Sequence, residues 1–159
     1  LSELCSVSVF PQRALSAGRL PEPIVLTAFD KDEELAWTAT EGGWISSFMV
    51  PTMERFSSLH AHNTRVMDMK SLPGVGLLSV SDALIRLQNS GGLLHYSWED
   101  EMADMTCLEI DYTGHQAVVG RSSNKLSYMD ISRGKIVGDM DTTIDTTCMC
   151  GHGMVVACG

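Results

Sequence analysis

The chain has 159 residues, of which 20 are acidic and 11 are basic, and its formal net charge is −9. No two basic residues are adjacent, so we expect neither direct nucleic-acid binding by this segment nor a polybasic membrane-binding patch. No apolar run approaches transmembrane length, and residues 1–20 lack the layout of a signal peptide. Five cysteines, an odd number, and the absence of a glycosylation sequon favour a reducing, intracellular setting.

Four short strands are predicted after a lead-in segment of residues 1–24. The turn Glu41-Gly42-Gly43 separates the second strand from the third, because glycine supplies the positive φ of a tight hairpin. Pro51 ends the third strand. The predicted strands of this first unit are Val25–Phe29, Glu34–Thr40, Trp44–Val50 and Met53–Leu59.

The same arrangement recurs along the rest of the chain. Ser81–Gln88 has a cap-like start and could instead form two helical turns, but its place in the repeat favours a strand. A turn is predicted at Gly151-His152-Gly153. The further predicted strands are Arg65–Met69, Gly76–Val80, Ala83–Gln88 and Leu93–Trp98; Met105–Ile110, Gln116–Arg121, Lys125–Ile131 and Lys135–Met140; and Ile144–Cys150 and Met154–Gly159.

Equivalent strands repeat with a period of about 40 residues, which is the period of a propeller blade. The units are approximately residues 25–62, 63–101, 102–142 and 143–159. The sequence therefore predicts an all-β fold, a partial β-propeller with about three and a half four-stranded blades. The markers of the period are Ala36, Leu78, Val118 and Val156 in second strands, Ile45, Ile85 and Leu126 in third strands, and Ala28, Asp68, Glu109 and Cys148 in first strands.

The texture of each unit also fits a blade. Second strands are almost wholly apolar, as strands buried on both faces are. Fourth strands are more polar and suit an exposed outer edge. Asp68 and Glu109 are predicted to occupy matching positions beside a central channel, with ordinary surface exposure as the alternative. Since such blades bury their surfaces on one another, we expect the missing blades in a longer protein and self-association of the isolated chain.

Cys148, Cys150 and His152 alternate along one strand, with Cys158 further on, and these residue types can hold zinc. The spacing is not that of a CxxC knuckle, and cysteine often packs as a small apolar residue, so we expect burial inside the blade and no metal.

The other histidines have two interpretations as well. His60-x-His62 could ligate a metal, but a solvated connector between blades is the preferred interpretation. His115 and His152 are predicted in turns between first and second strands.

No catalytic constellation is found in the sequence. A GxSxG elbow, a catalytic cysteine context and a phosphate-binding glycine loop are all missing from it. The carboxylates of Asp104, Asp139, Asp141 and Asp145 would suit a two-metal nuclease, but they fall on different strand ends and turns. We therefore expect no catalytic, cofactor-binding or metal-binding residue in this segment.

One block of the chain resembles a known family. The residues are Ser2-Glu3-Leu4 and then the block of Phe29-Asp30, Glu33-Glu34-Leu35-Ala36-Trp37, Gly42-Gly43, Ser46-Ser47-Phe48, Pro51 and Glu54-Arg55-Phe56-Ser57-Ser58. Weaker echoes follow at Gly91-Gly92-Leu93, Val118-Val119-Gly120, Ile131 and Val155–Gly159. In this block the chain is similar to the amino-terminal WD40-type propeller of the catalytic subunits of PAN deadenylation complexes, which are cytoplasmic poly(A)-specific ribonucleases.

The resemblance implies a non-catalytic interaction module, a seven-bladed propeller at the head of a longer chain. In that family a linker engages the regulatory subunit, and a metal-dependent 3′–5′ exonuclease domain lies further along. The module would help to place the enzyme on poly(A) tails coated with poly(A)-binding protein, in the cytoplasm or in processing bodies. No exonuclease carboxylate has a counterpart here. The alternatives are a generic propeller adaptor unrelated to RNA decay and a segment that is itself an enzyme.

Overall fold

The computed structural model describes residues 22–30, 32, 34–50, 52–99, 104–152 and 155–159. All regular structure in this part of the chain is β-strand, and it holds no helix long and apolar enough to span a membrane. Residues 1–21 of the predicted lead-in, with Glu33, Pro51, Gly153 and Met154 of the predicted turns and strands, lie outside the described residues. The strands are β1 (Ile24–Asp30), β2 (Leu35–Thr40), β3 (Trp44–Met49), β4 (Glu54–His60), β5 (Asp68–Leu72), β6 (Gly76–Val80), β7 (Leu84–Gln88), β8 (Leu94–Glu99), β9 (Met105–Ile110), β10 (Gln116–Arg121), β11 (Lys125–Asp130), β12 (Lys135–Asp141), β13 (Met149–His152) and β14 (Val155–Cys158).

These strands form successive antiparallel sheets in which each strand pairs with its neighbour in the chain. Blade 1 is β1–β4, blade 2 is β5–β8, blade 3 is β9–β12, and β13 and β14 form a two-stranded sheet. The first strands of consecutive sheets lie next to one another, β1 against β5 and β5 against β9. The predicted all-β fold with repeated four-stranded units is confirmed.

Apolar clusters lie between the sheets and hold them face to face. Trp37 and Ile45 of blade 1 pack with Leu77 of blade 2. Leu78 and Val80 of blade 2 pack with residues of blade 3. Because neighbouring residues of β6 enter opposite clusters, β6 is buried along its whole length, which explains its unbroken apolar sequence.

The outer strands have the opposite character. Most residues of β4 and β12 are exposed, as their polar sequences predict. The Asp139 carboxylate of β12 accepts a hydrogen bond from the Ser127 hydroxyl of β11 at 2.6 Å. These charged outer strands discourage edge-to-edge pairing with other molecules.

Two first strands begin later than predicted. β5 begins at Asp68 rather than Arg65, and β13 begins at Met149 rather than Ile144. Before β5 the chain is a connector in which Val66 is buried in the cluster between blades 1 and 2, and the N–H of Met67 donates to the carbonyl of Val80. A buried connector can be mistaken for a strand in the sequence because its apolar residues are spaced like those of a strand.

Two further predictions concern local structure. The helical alternative for Ser81–Gln88 is wrong, since Ser81 donates its N–H to the Leu84 carbonyl in a tight turn and β7 follows. The turn predicted at Gly151-His152-Gly153 is also wrong for its first two residues, which pair with Val156 and Val155 in the β13–β14 ladder.

Gly43 shows how closely the sheets approach. It has φ of 83°, and a Cβ atom there would lie 2.0 Å from the carbonyl oxygen of His62. The carbonyl of Gly43 accepts hydrogen bonds from the N–H groups of Ala61 and His62. Only glycine fits here, because the turn of blade 1 lies directly against the connector into blade 2.

Candidate interaction surface

The first strands of the three described blades line a groove of about 780 Å³. It opens on the side of the sheets that carries the turns between first and second strands. We call it the inner groove. Its lining residues come from β1, β5 and β9 and from the turns that follow β5 and β9: Thr27, Ala28, Phe29, Asp68, Met69, Lys70, Ser71, Leu72, Pro73, Val75, Glu109, Ile110, Asp111, Tyr112, Thr113, Gly114 and His115.

An ion pair joins two blades inside the inner groove. The Lys70 ammonium lies 3.0 Å from the Glu109 carboxylate, with side chains 32% and 15% exposed. Burial alone would lower the pKa of Lys70, but the hydrogen bond to Glu109 and the charge of Asp68 outweigh it and raise that pKa. The pair ties β5 to β9, and Lys70 stays charged at neutral pH.

Asp68 links the same two strands through its carboxylate. One oxygen accepts the N–H of Met69 at 2.8 Å, and the other accepts the N–H of Leu108 on β9 at 2.9 Å. Burial raises the pKa of Asp68, although the Leu108 hydrogen bond and Lys70 oppose the change. Asp68 is therefore mainly a structural link between blades 2 and 3.

The predicted equivalence of Asp68 and Glu109 is wrong in register. Lys70 pairs with Leu78, and Glu109 pairs with Val118, so Lys70 is the residue that corresponds to Glu109. Asp68 lies two residues earlier on its strand. Both acids still line the inner groove. Sequence reasoning missed Lys70, whose ammonium pairs with Glu109 and favours the ionised form of Asp68.

The rim of the inner groove is apolar and exposed. Phe29 of β1 is 66% exposed, Val75 is 44% exposed and Tyr112 is 69% exposed. Each comes from a different blade, and sequence reasoning assigned none of them to a surface. Exposed apolar side chains grouped around one groove are typical of an interaction site.

Asp111 organises the turn that carries Tyr112. Its carboxylate accepts the Thr113 hydroxyl and the N–H groups of His115 and Gln116. Slight burial opposes ionisation, but these hydrogen bonds keep the pKa of Asp111 below its usual range. The turn is thus preformed and carries a negative charge at neutral pH. His115 lies in this turn and is exposed, as predicted.

His62 is buried, which corrects its interpretation as part of a solvated connector. It is 1% exposed, and its Nε2 is hydrogen-bonded to the Ser79 hydroxyl at 2.8 Å. Burial and then the charge of Arg86 lower its pKa to about 4, against the opposing effect of Asp82. His62 is therefore neutral at pH 7 and fastens the connector to β6.

His60 behaves differently from its neighbour. It is exposed, its Nε2 lies 3.0 Å from the Gly42 carbonyl, and its ring lies 5.1 Å from that of Trp44. The two histidines do not converge on one site. Among the described residues no three His, Cys, Asp or Glu side chains are placed to hold a metal ion.

The cysteines near the end of the chain are exposed, which corrects the expected burial inside a blade. Cys148, Cys150 and Cys158 are free and exposed. Cys148 precedes β13 and exchanges backbone hydrogen bonds with Gly159, while His152 lies within β13. Met149 at the start of β13 is buried, against Cys107 and Leu126.

The four scattered aspartates do not form a site. Asp104 directly precedes β9, Asp139 and Asp141 lie on β12, and Asp145 lies in the connector before β13. Two of them share one strand and two lie outside the strands, and among the described residues they join no group of three or more side chains that could hold a metal ion.

Comparison with known proteins identifies one family. The family model described as PAN2 N-terminal matches residues 11–152. A Yarrowia lipolytica protein named as the PAN2-PAN3 deadenylation complex catalytic subunit PAN2 is 27% identical over 160 residues, which cover 100% of this chain and 16% of that protein. A Coccidioides immitis protein of the same name is 27% identical over 133 residues, which cover 82% of this chain and 11% of that protein. The chain thus spans less than a fifth of the length of these relatives.

A solved structure supports the same fold. The Pan2 WD40 domain of Neurospora crassa matches with a TM-score of 0.74 at 20% identity, over 80% of this chain and 41% of that chain. At this identity the likeness shows the fold alone. The sheets of this protein are accordingly blades of a WD40-type propeller.

Proposed function

The chain belongs to the PAN2 N-terminal family, and from this premise we propose that it is a scaffold module that positions a deadenylase on poly(A) coated with poly(A)-binding protein. The segment is the WD40-type part of the family, a non-catalytic region. Hydrolysis, with the divalent metal that it uses, belongs to other parts of the longer protein. The relatives are named as subunits of PAN2-PAN3 complexes, so we infer a PAN3-type regulatory subunit as a partner and the cytoplasm as the location.

The observation that carries the proposal is the family match over residues 11–152, together with the rigid row of blades that presents the inner groove. Stacked blades hold their turns in fixed positions, which suits a surface that binds and orients. The net charge of −9 favours a protein partner over the phosphates of RNA. A generic adaptor outside RNA decay remains the second hypothesis, because the fold alone does not determine function.

Deletion of the amino-terminal propeller is expected to slow deadenylation of coated poly(A) but not of naked poly(A). The reason is that positioning affects recruitment and leaves the chemistry unchanged. The measurement is the rate at which the full-length protein shortens coated and naked poly(A), with and without its propeller. Equal rates on coated poly(A) would contradict the positioning role and favour the generic adaptor.

The isolated chain offers a complementary measurement. Incubated with labelled poly(A) and magnesium, it is expected to leave the tail length unchanged, since its described residues bring no catalytic carboxylates together. Shortening that survives removal of contaminating nuclease would overturn the scaffold assignment.

A further inference from the structure

We propose that buried water joins blades 1 and 2, with one molecule held between the indole N–H of Trp37 and the side-chain amide of Gln88. The proposal concerns how two blades are connected, so it goes beyond the scaffold role and does not depend on it. Both walls of this junction belong to complete four-stranded blades that the structure describes.

Trp37 and Gln88 lie on the facing sides of blades 1 and 2. Trp37 packs with Leu77 of β6 in the apolar cluster between the blades. Gln88 is the direct partner of Leu77 in the β6–β7 ladder, so both side chains lie on the face that is turned towards blade 1. Ser47, which is paired with Trp37 across β2 and β3, donates its hydroxyl to the Ser90 carbonyl at 3.4 Å. Since Ser90 closely follows Gln88 in the chain, Trp37 and Gln88 adjoin the same space.

Both side chains are fully buried, and their polar atoms have no partner in the protein. Trp37 and Gln88 are each 0% exposed. Trp37 Nε1 and both amide atoms of Gln88 have no hydrogen-bond partner among the described residues. Leaving such atoms unpaired is costly, and ordered water satisfies buried polar atoms that no protein group reaches. The pair therefore indicates a water site.

Two more orphaned atoms lie at the same junction. His62 Nε2 is hydrogen-bonded to the Ser79 hydroxyl at 2.8 Å, and Arg86 is the ladder partner of Ser79. His62 Nδ1 and Arg86 Nε are also buried without a partner in the described part of the chain. The one other orphaned side-chain atom there is Arg121 Nε on blade 3, so this junction carries five of the six. Such a concentration favours a hydrated junction over scattered packing faults.

Water has the donors and acceptors that the site requires. The indole N–H of Trp37 can only donate, so its partner must be an acceptor, and a metal cation would face the wrong end of a dipole. The amide of Gln88 offers an acceptor oxygen and a donor NH₂ group. One water molecule that accepts the indole hydrogen and donates to Gln88 Oε1 satisfies both residues, and a second can accept from Nε2.

A crystal structure of the full-length protein that resolves ordered water tests the proposal. Electron density for a water molecule is expected about 2.7–3.2 Å from both Trp37 Nε1 and Gln88 Oε1. In Gln88→Leu this density is expected to disappear, because the water would keep only the indole as a partner. The matched control is Gln116→Leu at the exposed start of β10, which is expected to retain it.

Unfolding measurements test the same link in solution. Trp37→Phe removes the indole donor, and Gln88→Leu removes the amide. Each single change leaves the other group without its water, so the double variant is expected to shift the unfolding equilibrium about threefold less than the product of the single shifts. Trp37→Phe combined with Gln116→Leu is expected to shift it by the full product.

The unchanged protein decides the matter even if a variant fails to fold. A direct hydrogen bond between the Trp37 indole and the Gln88 amide, or no density beside Trp37 Nε1, would overturn the inference. Density that persists in Gln88→Leu would do the same, as would independent effects of Trp37→Phe and Gln88→Leu on unfolding.

Discussion

Replacing Gly43 with alanine is expected to lower the free energy of unfolding by roughly 3 kcal/mol or more. One part of the cost is the φ of 83°, which a residue with a Cβ rarely adopts. The larger part is the clash, because the added Cβ would lie 2.0 Å from the His62 carbonyl oxygen. That oxygen belongs to backbone that is itself hydrogen-bonded across the two blades, so it cannot simply move away.

Gly74→Ala is the matched control. Gly74 also has a positive φ, 72°, but nothing lies within 4 Å of an added Cβ. Its replacement is expected to cost only the backbone term, about 1 kcal/mol. Urea unfolding of the two variants and the unchanged protein measures both costs. Equal losses in Gly43→Ala and Gly74→Ala would show that blade 1 does not press against the connector.

Acidification is expected to destabilise the protein through His62. Burial, and next the charge of Arg86, lower its pKa from 6.5 to about 4 in the folded state. The unfolded chain therefore takes up a proton at a higher pH than the folded one. The stability that neutral His62 contributes is complete above about pH 6.5 and is lost as the pH falls towards 4, to a limit of roughly 3 kcal/mol.

Comparing His62→Gln with His115→Gln separates the contribution of His62 to the pH dependence of stability from that of the carboxylates. In His62→Gln the amide can still reach Ser79, and the free energy of unfolding is expected to vary less with pH between 7 and 4.5. His115→Gln, at an exposed turn, is expected to retain the full dependence. Asp68, whose raised pKa acts in the opposite direction, is common to all three proteins. Parallel pH curves for the unchanged protein and His62→Gln would refute the role of His62.

The bounds of a strand were predictable where the local pattern of apolar residues determines them. β6, β9 and β10 begin and end at the residues that the sequence predicts. The middle strands lie between two sheets, so burial on both faces leaves an unbroken apolar run that is visible locally. The outer strands β4 and β12 are mostly exposed, and their polar sequences are equally visible locally.

The position of His62 was not predictable in this way. His62 is hydrogen-bonded to Ser79 in the next blade, which lies 17 residues further along the chain. His60 and His62 cannot be told apart in the sequence, yet His62 is buried and His60 is exposed. No local pattern distinguishes them, because the difference arises from how the sheets stack.

The inner groove was predictable only in part. Sequence reasoning placed Asp68 and Glu109 on first strands, but backbone pairing assigns Lys70 to the position of Glu109. The signal was present, since Lys70 and Glu109 are 39 residues apart, close to the period. A register error of two residues along a strand is small in sequence but exchanges an acid for a base.

The central claim is that first strands of successive blades lie side by side, and the pair of Lys70 and Glu109 tests it most directly. A carbodiimide joins an amine and a carboxylate only when they touch, and these two are 3.0 Å apart on β5 and β9. Mass spectrometry of the cross-linked, digested protein is expected to find a peptide pair joined through Lys70 and Glu109, lost in Glu109→Gln. Lys70 joined only to carboxylates outside blade 3 would contradict the stacked arrangement.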